Sequence, residues 1–185
     1  MSRSRTPKVL AVDDRPENLL ALEAILQGLP IEIVGVSSGE DALKQLLVDE
    51  FAVILLDAQM PGMDGFETAG HIKNRERTRR IPIVFLTAVD YDAHLAFRGY
   101  QAGAVDYISK PFDPWVLRSK VAVFVDLWAA NAELAERAAE CEVLRDTVDD
   151  TLALLDGPDA HGDEVAAVVD RARSRLEAVR RHRSA

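Results

Sequence analysis

The chain has 185 residues, 48% of them hydrophobic, and a formal net charge of −9 at pH 7. That length and apolar share suit one ordinary domain, or a small domain with an appendage. The acidity argues against broad binding to nucleic acid or to anionic membranes. A single cysteine, Cys141, cannot form an internal disulfide, which fits a reducing compartment. Residues 1–7 lack an apolar centre, so they are expected to be disordered rather than a secretion signal. No run approaches the ~20 apolar residues that a membrane span needs. These features together predict a cytoplasmic protein.

Lys8-Val-Leu-Ala-Val12 reads as a short apolar strand that ends in Asp13-Asp14. Pro16 then opens a helix to about Gln27, since proline is favoured in a first turn, and Gly28 stops it. Ile31 to Val36 is a second strand. Ser38 with Asp41 resembles a capping box and starts a helix to about Asp49. Phe51-Ala-Val-Ile-Leu-Leu-Asp57 is apolar without alternation until its last residue, the pattern of a strand buried on both faces. The loop Ala58 to Gly65 is rich in turn formers, and a helix is expected from Gly65 to about Arg75. Ile81 to Leu86 is a fourth strand, ending at Thr87-Ala88. Asp90 can cap a helix to about Ala102, and Val105 to Ile108 is a fifth strand, running into Ser109-Lys110-Pro111. Strands alternating with helices imply an α/β fold with a parallel sheet.

From Asp113-Pro114 no convincing helix breaker appears until Gly157-Pro158, which predicts one helix of roughly forty residues, long for a globular domain. Leu117, Val121, Phe124 and Trp128 form a face suited to lie on the sheet. Beyond it, Leu127, Asn131, Leu134, Ala138, Cys141, Arg145, Val148, Leu152 and Leu155 recur at alternating spacings of four and three, a heptad seam with polar interruptions. After Gly162 a shorter amphipathic helix carries Val165, Val169, Ala172, Leu176 and Val179. Residues 113–170 hold fourteen acids and four bases, whereas 171–185 hold six arginines and one glutamate. The charges fit solvated faces, or a helical hairpin whose basic end packs on the acidic stretch. A basic tail that touches RNA or DNA is a third reading, weakened by the neighbouring acid and the absence of interleaved aromatics. Trp115 and Trp128 are expected to pack the helix against the domain or a dimer partner. His71 and His94 are expected at the surface, and Cys141 is expected to pack in the seam.

Four of the strands end in chemically distinctive residues: Asp13 and Asp14, Asp57, Thr87 and, just past the fifth, Lys110. In a doubly wound sheet of order 2-1-3-4-5, strands one and three are neighbours at the switch point, so Asp13, Asp14 and Asp57 would converge. Like charges ~4 Å apart repel by a few kcal/mol at an effective dielectric near 20. Such a cluster calls for a proton or a hard cation, and Mg²⁺ suits carboxylates that also face phosphate oxygens. Asp57 could then attack a phosphoryl group to give an acyl phosphate. Asp14, and Asp13 partly through water, would hold the metal with Asp57 and the backbone carbonyl of Gln59. Lys110 would pair with the phosphoryl group and the Thr87 hydroxyl would hydrogen-bond it. Taken singly, each aspartate is as readily a helix cap or turn residue; the combination is what points to a site.

These motifs resemble the receiver domain of bacterial two-component response regulators. The likeness is carried by Val12-Asp13-Asp14-Arg15, by Leu56-Asp57 with Met60-Pro61-Gly62-Met63-Asp64-Gly65, by Leu86-Thr87-Ala88, and by Gly103-Ala104-Val105-Asp106-Tyr107 leading to Lys110-Pro111-Phe112. It implies a flavodoxin-like five-stranded parallel sheet followed by a long helix and a helical hairpin. It also implies Asp57 as phosphoacceptor, Thr87 and Tyr107 as switch residues, Lys110 as the family's lysine, and a cis Lys110–Pro111 bond. A sensor histidine kinase would be the phosphoryl donor, and any activity of the chain itself would be limited to its own phosphorylation and dephosphorylation. The expected division is a receiver at 8–126, a coiled-coil extension at 127–157, and a linker with a second helix at 158–185. No DNA-binding or catalytic output motif follows Trp128, so the expected output is a homodimer, through the C-terminal helices, that a downstream protein reads. The alternatives are an antiterminator-like regulator that binds RNA through the basic tail, and the receiver fragment of a larger hybrid kinase. A phosphotransfer module is disfavoured, because His161 and His182 fall outside mid-helix positions.

Overall fold

The computed structural model describes residues 6–87, 106–155, 166–167 and 169–174. The strands are β1 (Lys8–Val12), β2 (Glu32–Val36), β3 (Val53–Asp57), β4 (Ile83–Thr87) and β5 (Asp106–Ser109). The helices are α1 (Pro16–Leu26), α2 (Gly39–Val48), α3 (Gly65–Lys73) and the 42-residue α4 (Pro114–Leu155). The sheet order is β2-β1-β3-β4-β5, and every neighbouring pair is parallel. This is the doubly wound arrangement expected from the alternation of strands and helices. The expected helix over Asp90–Ala102, His94, His161 and His182 lie outside the described residues, as do Val165, Leu176 and Val179 of the second amphipathic helix.

Strand alternation builds two cores, one on each face of the sheet. Leu10, Val12, Ile54, Leu56 and Phe85 face α2 and α3, where Ala42, Leu46, Ala69 and Ile72 are buried. Val9, Ala11, Val53, Leu55, Val84 and Leu86 face the other way, against Leu22 and Leu26 of α1 and Leu117, Val121 and Val125 of α4. Each fully buried aliphatic side chain contributes roughly 1.5–3 kcal/mol by leaving water. β3 is buried along its whole length, which explains its lack of alternation and its central place. Strand β4 starts at Ile83 rather than the expected Ile81. Pro82 has no N–H to donate, although its carbonyl accepts from the Ile54 N–H at 3.0 Å.

The described residues fall into two compact units, one over Thr6–Trp128 and one from Ala129 onward. Within the first, α4 begins at an Asp113 cap that accepts from the Trp115 N–H at 2.7 Å. Arg118 Nη1 donates to the carbonyls of Ile25 (3.1 Å) and Gln27 (2.5 Å). The last turn of α1 has no basic residue of its own, so α4 supplies the cation that satisfies those carbonyls. Lys120 pairs with Asp106 of β5. Phe124 and Trp128 are half-buried against the core as expected, but Trp115 is 78% exposed and, among the described residues, is not packed on either core. Its position in the first turn points it away from the Leu117–Val121–Val125 face.

The start of α3 fixes the end of β3. Asp64 and Glu67 form a reciprocal capping box, and the Gly65 N–H donates to the Ala58 carbonyl at 3.2 Å. A Cβ on Gly65 would lie 2.1 Å from the Asp57 carbonyl oxygen, so only glycine lets the helix close on that strand end. Gly65→Ala is expected to destabilise the fold by about 1–3 kcal/mol through overpacking. Urea denaturation measures this, and a loss below about 0.5 kcal/mol would contradict the assigned packing.

Candidate functional site

The carboxyl edge of the sheet collects the residues singled out from the sequence. Asp57 is the last residue of β3, Asp13 and Asp14 follow β1, Thr87 ends β4, and Lys110 follows β5. Because β1 and β3 are paired with Val12 opposite Leu56, the three aspartates meet. Asp13, Asp14 and Asp57 each bring one carboxylate oxygen within 4.8 Å of the others. Asp13 is wholly buried, Asp57 is 7% exposed and Asp14 is half-buried. The Lys110 ammonium bridges the two buried members, 2.7 Å from Asp13 Oδ2 and 3.0 Å from Asp57 Oδ2.

Asp13 is held by more than Lys110. Its Oδ1 accepts from the Arg15 N–H at 3.0 Å, and Asn18 Nδ2 donates to Oδ1 at 2.8 Å and to Oδ2 at 3.0 Å. Arg15, the N-cap residue of α1, offers no side-chain cap; Asp13 instead ties the start of that helix down through the Arg15 N–H and the Asn18 side chain. Asn18 was not apparent from the sequence as a site residue. Its only signal is an amide placed five residues after Asp13, in the first turn of a helix. Asp57 Oδ1 accepts from the Gln59 N–H at 3.2 Å, which sets the backbone of Gln59 beside the cluster. Gly62, at φ +77°, turns the intervening loop.

Thr87 pairs with Ser109 across the β4–β5 ladder, and the Lys110 N–H donates to the Thr87 carbonyl at 2.6 Å. The Lys110–Pro111 bond is cis, as expected. Tyr107 is half-buried and its ring stacks on Phe85, with centroids 5.6 Å apart; Phe85 in turn meets Phe66 at 4.8 Å. Among the other singled-out residues, His71 is exposed, as is Cys141.

The donor set suits a hard divalent cation. It is all oxygen and anionic, and Asp14 is its half-buried member. Burial pushes the Asp57 carboxyl above the usual carboxylate range, opposed by the Lys110 ammonium and the Gln59 N–H, while the Asp13 charge raises it further.

A family model described as "Response regulator receiver domain" matches residues 9–122, and the chain belongs to that family. It is 36% identical over 140 residues to the sensor histidine kinase GacS of Pseudomonas protegens, an alignment that spans 74% of this chain and 15% of the kinase. It is 36% identical over 132 residues to the response regulator PleD of Caulobacter vibrioides, spanning 71% of this chain and 29% of PleD. The chain thus covers less than a third of either relative. Among solved structures, the chemotaxis protein CheY4 of Vibrio cholerae superposes with a TM-score of 0.61 at 29% identity, covering 65% of this chain and 99% of that one. The beryllofluoride-activated receiver domain of DrrB from Thermotoga maritima gives 0.59 at 30% identity, covering 66% and 99%.

A buried carboxyl with a raised folded pKa favours the fold below its unfolded pKa, and that benefit is lost as pH rises through the folded value. Asp57→Asn removes the charge, so it is expected to raise Tm near pH 7 and to give no gain below the ordinary carboxylate range. Thermal melts across this span in Mg²⁺-free buffer provide the check. A variant no more stable than the parent at pH 7 would contradict the balance of burial over Lys110.

Proposed function

We propose that this receiver accepts a phosphoryl group on Asp57, with Mg²⁺ as cofactor and a sensor histidine kinase as donor. The observation that carries this is the convergence of Asp13, Asp14 and Asp57 on one crevice, with Lys110 bridging two of them. An Asp57 oxygen forms the new P–O bond as the donor's P–N bond breaks, which leaves an acyl phosphate on Asp57 and a free histidine on the kinase. Asp13, Asp14, Asp57 and the Gln59 carbonyl are the residues that would hold Mg²⁺, which when bound neutralises the clustered carboxylates and the phosphoryl oxygens. Lys110 is close enough to Asp57 to transfer its ammonium to the added phosphoryl oxygens. Thr87 donates its hydroxyl to the same group. In this reading the chain is a phosphoacceptor rather than an output enzyme, and it acts in the cytoplasm. Among the described residues, no helix is long and apolar enough to cross a membrane.

The switch runs through Thr87 and Tyr107. As Thr87 turns toward the phosphoryl group it vacates space, and the Tyr107 ring, already against Phe85, fills it. Residues 8–126 act as the receiver, 127–157 as a coiled-coil extension and 158–185 as a linker with a second helix. The chain functions as a homodimer through its C-terminal helices, and a downstream protein reads the dimer. The exposure of Leu134 and Val148 along the seam supports this. A second reading, a receiver belonging to a larger kinase, draws support from the likeness to GacS. The RNA-binding alternative gains no support from these relatives.

Incubation with acetyl phosphate and Mg²⁺ should add the mass of one phosphoryl group to the native chain and none to the Asp57→Asn variant. Equal uptake by the two would overturn the assignment. Lys110→Ala should slow uptake at least about tenfold, as loss of a transition-state donor does. Thr87→Ala should still be phosphorylated but lose any phosphorylation-dependent change in association, measured by light scattering. An unaltered response in that variant would remove Thr87 from the switch.

A further inference from the structure

From Ala129 onward the two sides of α4 differ. Thr147 is 6% exposed and Glu140 is half-buried, whereas Leu134 is 61% and Val148 55% exposed. Asn131, Ala138, Cys141 and Arg145 are exposed as well. At about 100° per residue, Thr147 lies roughly 130° around the helix from the seam. Among the described residues the covered side of α4 is therefore opposite the seam, whose positions from Asn131 to Val148 are exposed.

We infer that a second copy of this chain covers the seam as a parallel, in-register helix, so that Leu134, Cys141 and Val148 each meet their own counterpart. This rests on the dimer proposed above and adds direction and register to it. The outer core positions recur every seven residues, a strict 3.5-residue period that favours left-handed two-stranded packing. Direction follows from the flanking charges. In a parallel pair Arg137 of one chain faces the partner's Glu142, and the two-fold axis makes that contact twice. An antiparallel pair would instead set the row holding Glu142 and Asp149 against itself, a like-charge arrangement that destabilises. Register follows from Asn131. In a parallel in-register pair it meets its own counterpart, and the two amides can hydrogen-bond each other across the seam. A one-heptad slip would set one amide against the partner's Ala138 and the other against Phe124, neither of which offers a side-chain acceptor. Arg145 is the costly layer, and Asp149 one turn on can take its guanidinium to the rim.

Copper–phenanthroline oxidation of the full-length chain, with and without beryllofluoride and Mg²⁺, tests this alongside mass by light scattering. Three single-cysteine forms are compared: the native chain, Leu134→Cys/Cys141→Ser and Glu136→Cys/Cys141→Ser. In a parallel in-register pair the first two cross-link at least about tenfold faster than the third, because only seam sulfurs come within bonding range. A dimer by mass in which position 134 fails to cross-link is antiparallel or shifted; it overturns this inference and leaves the dimer standing. A monomer in both states overturns both.

Discussion

The Lys110 ammonium, held between Asp13 and Asp57, is the contact on which the carboxyl edge of this sheet depends. Three carboxylates in one crevice, two of them almost sealed from solvent, would repel by several kcal/mol if all were ionised. The fold meets that repulsion with a cation placed just past β5. Lys110 is tied to β4 by its own N–H, which donates to the Thr87 carbonyl. The lysine that offsets part of the cluster's charge and the threonine proposed to sense it therefore share one backbone hydrogen bond. In the proposed mechanism, a charge added at Asp57 would act on both at once.

The rest of the receiver keeps those strand ends in place. Two apolar layers lock β1 and β3 side by side, and β3, buried from end to end, has no freedom to slip register without turning its side chains to the wrong face. Gly65 brings the capped start of α3 against the Asp57 carbonyl, and Asn18 with the Arg15 N–H orients Asp13. Helix α4 has a double role. Its first turns seal one face of the sheet and satisfy the open carbonyls of α1 through Arg118, while its later turns carry the exposed Leu134 and Val148.

Much of this was legible in the sequence, for physical reasons that also explain what was not. Apolar runs that stop at Asp13, Asp57 and Thr87 announce buried strands and their ends, because burial on both faces removes alternation. The 42 residues of α4 were readable from the absence of breakers between Pro114 and Gly157. Strand boundaries were less so: Ile81 is apolar like a strand residue, yet Pro82 delays the ladder by two positions. Local side-chain hydrogen bonds left the weakest trace. Nothing in the order of residues separates Asn18, which grips Asp13, from any polar residue in a first helical turn. The Asp64–Glu67 capping box went unread inside a loop already crowded with turn formers. Trp115 looked like a packing residue from its size alone, but its angular position on α4 turns it away from the domain core, which leaves a dimer partner as the surface expected for it.

Asp13, Asp14 and Asp57 are proposed to form one cation site whose charges Lys110 offsets in part when no ion is bound. Calorimetric titration of Mg²⁺ into the native chain, Asp13→Asn and Asp14→Asn addresses it most directly. Saturable one-to-one binding by the native chain, weakened at least about tenfold in each variant as loss of a ligand charge requires, is the predicted result. Equal Mg²⁺ affinity in all three chains would contradict it.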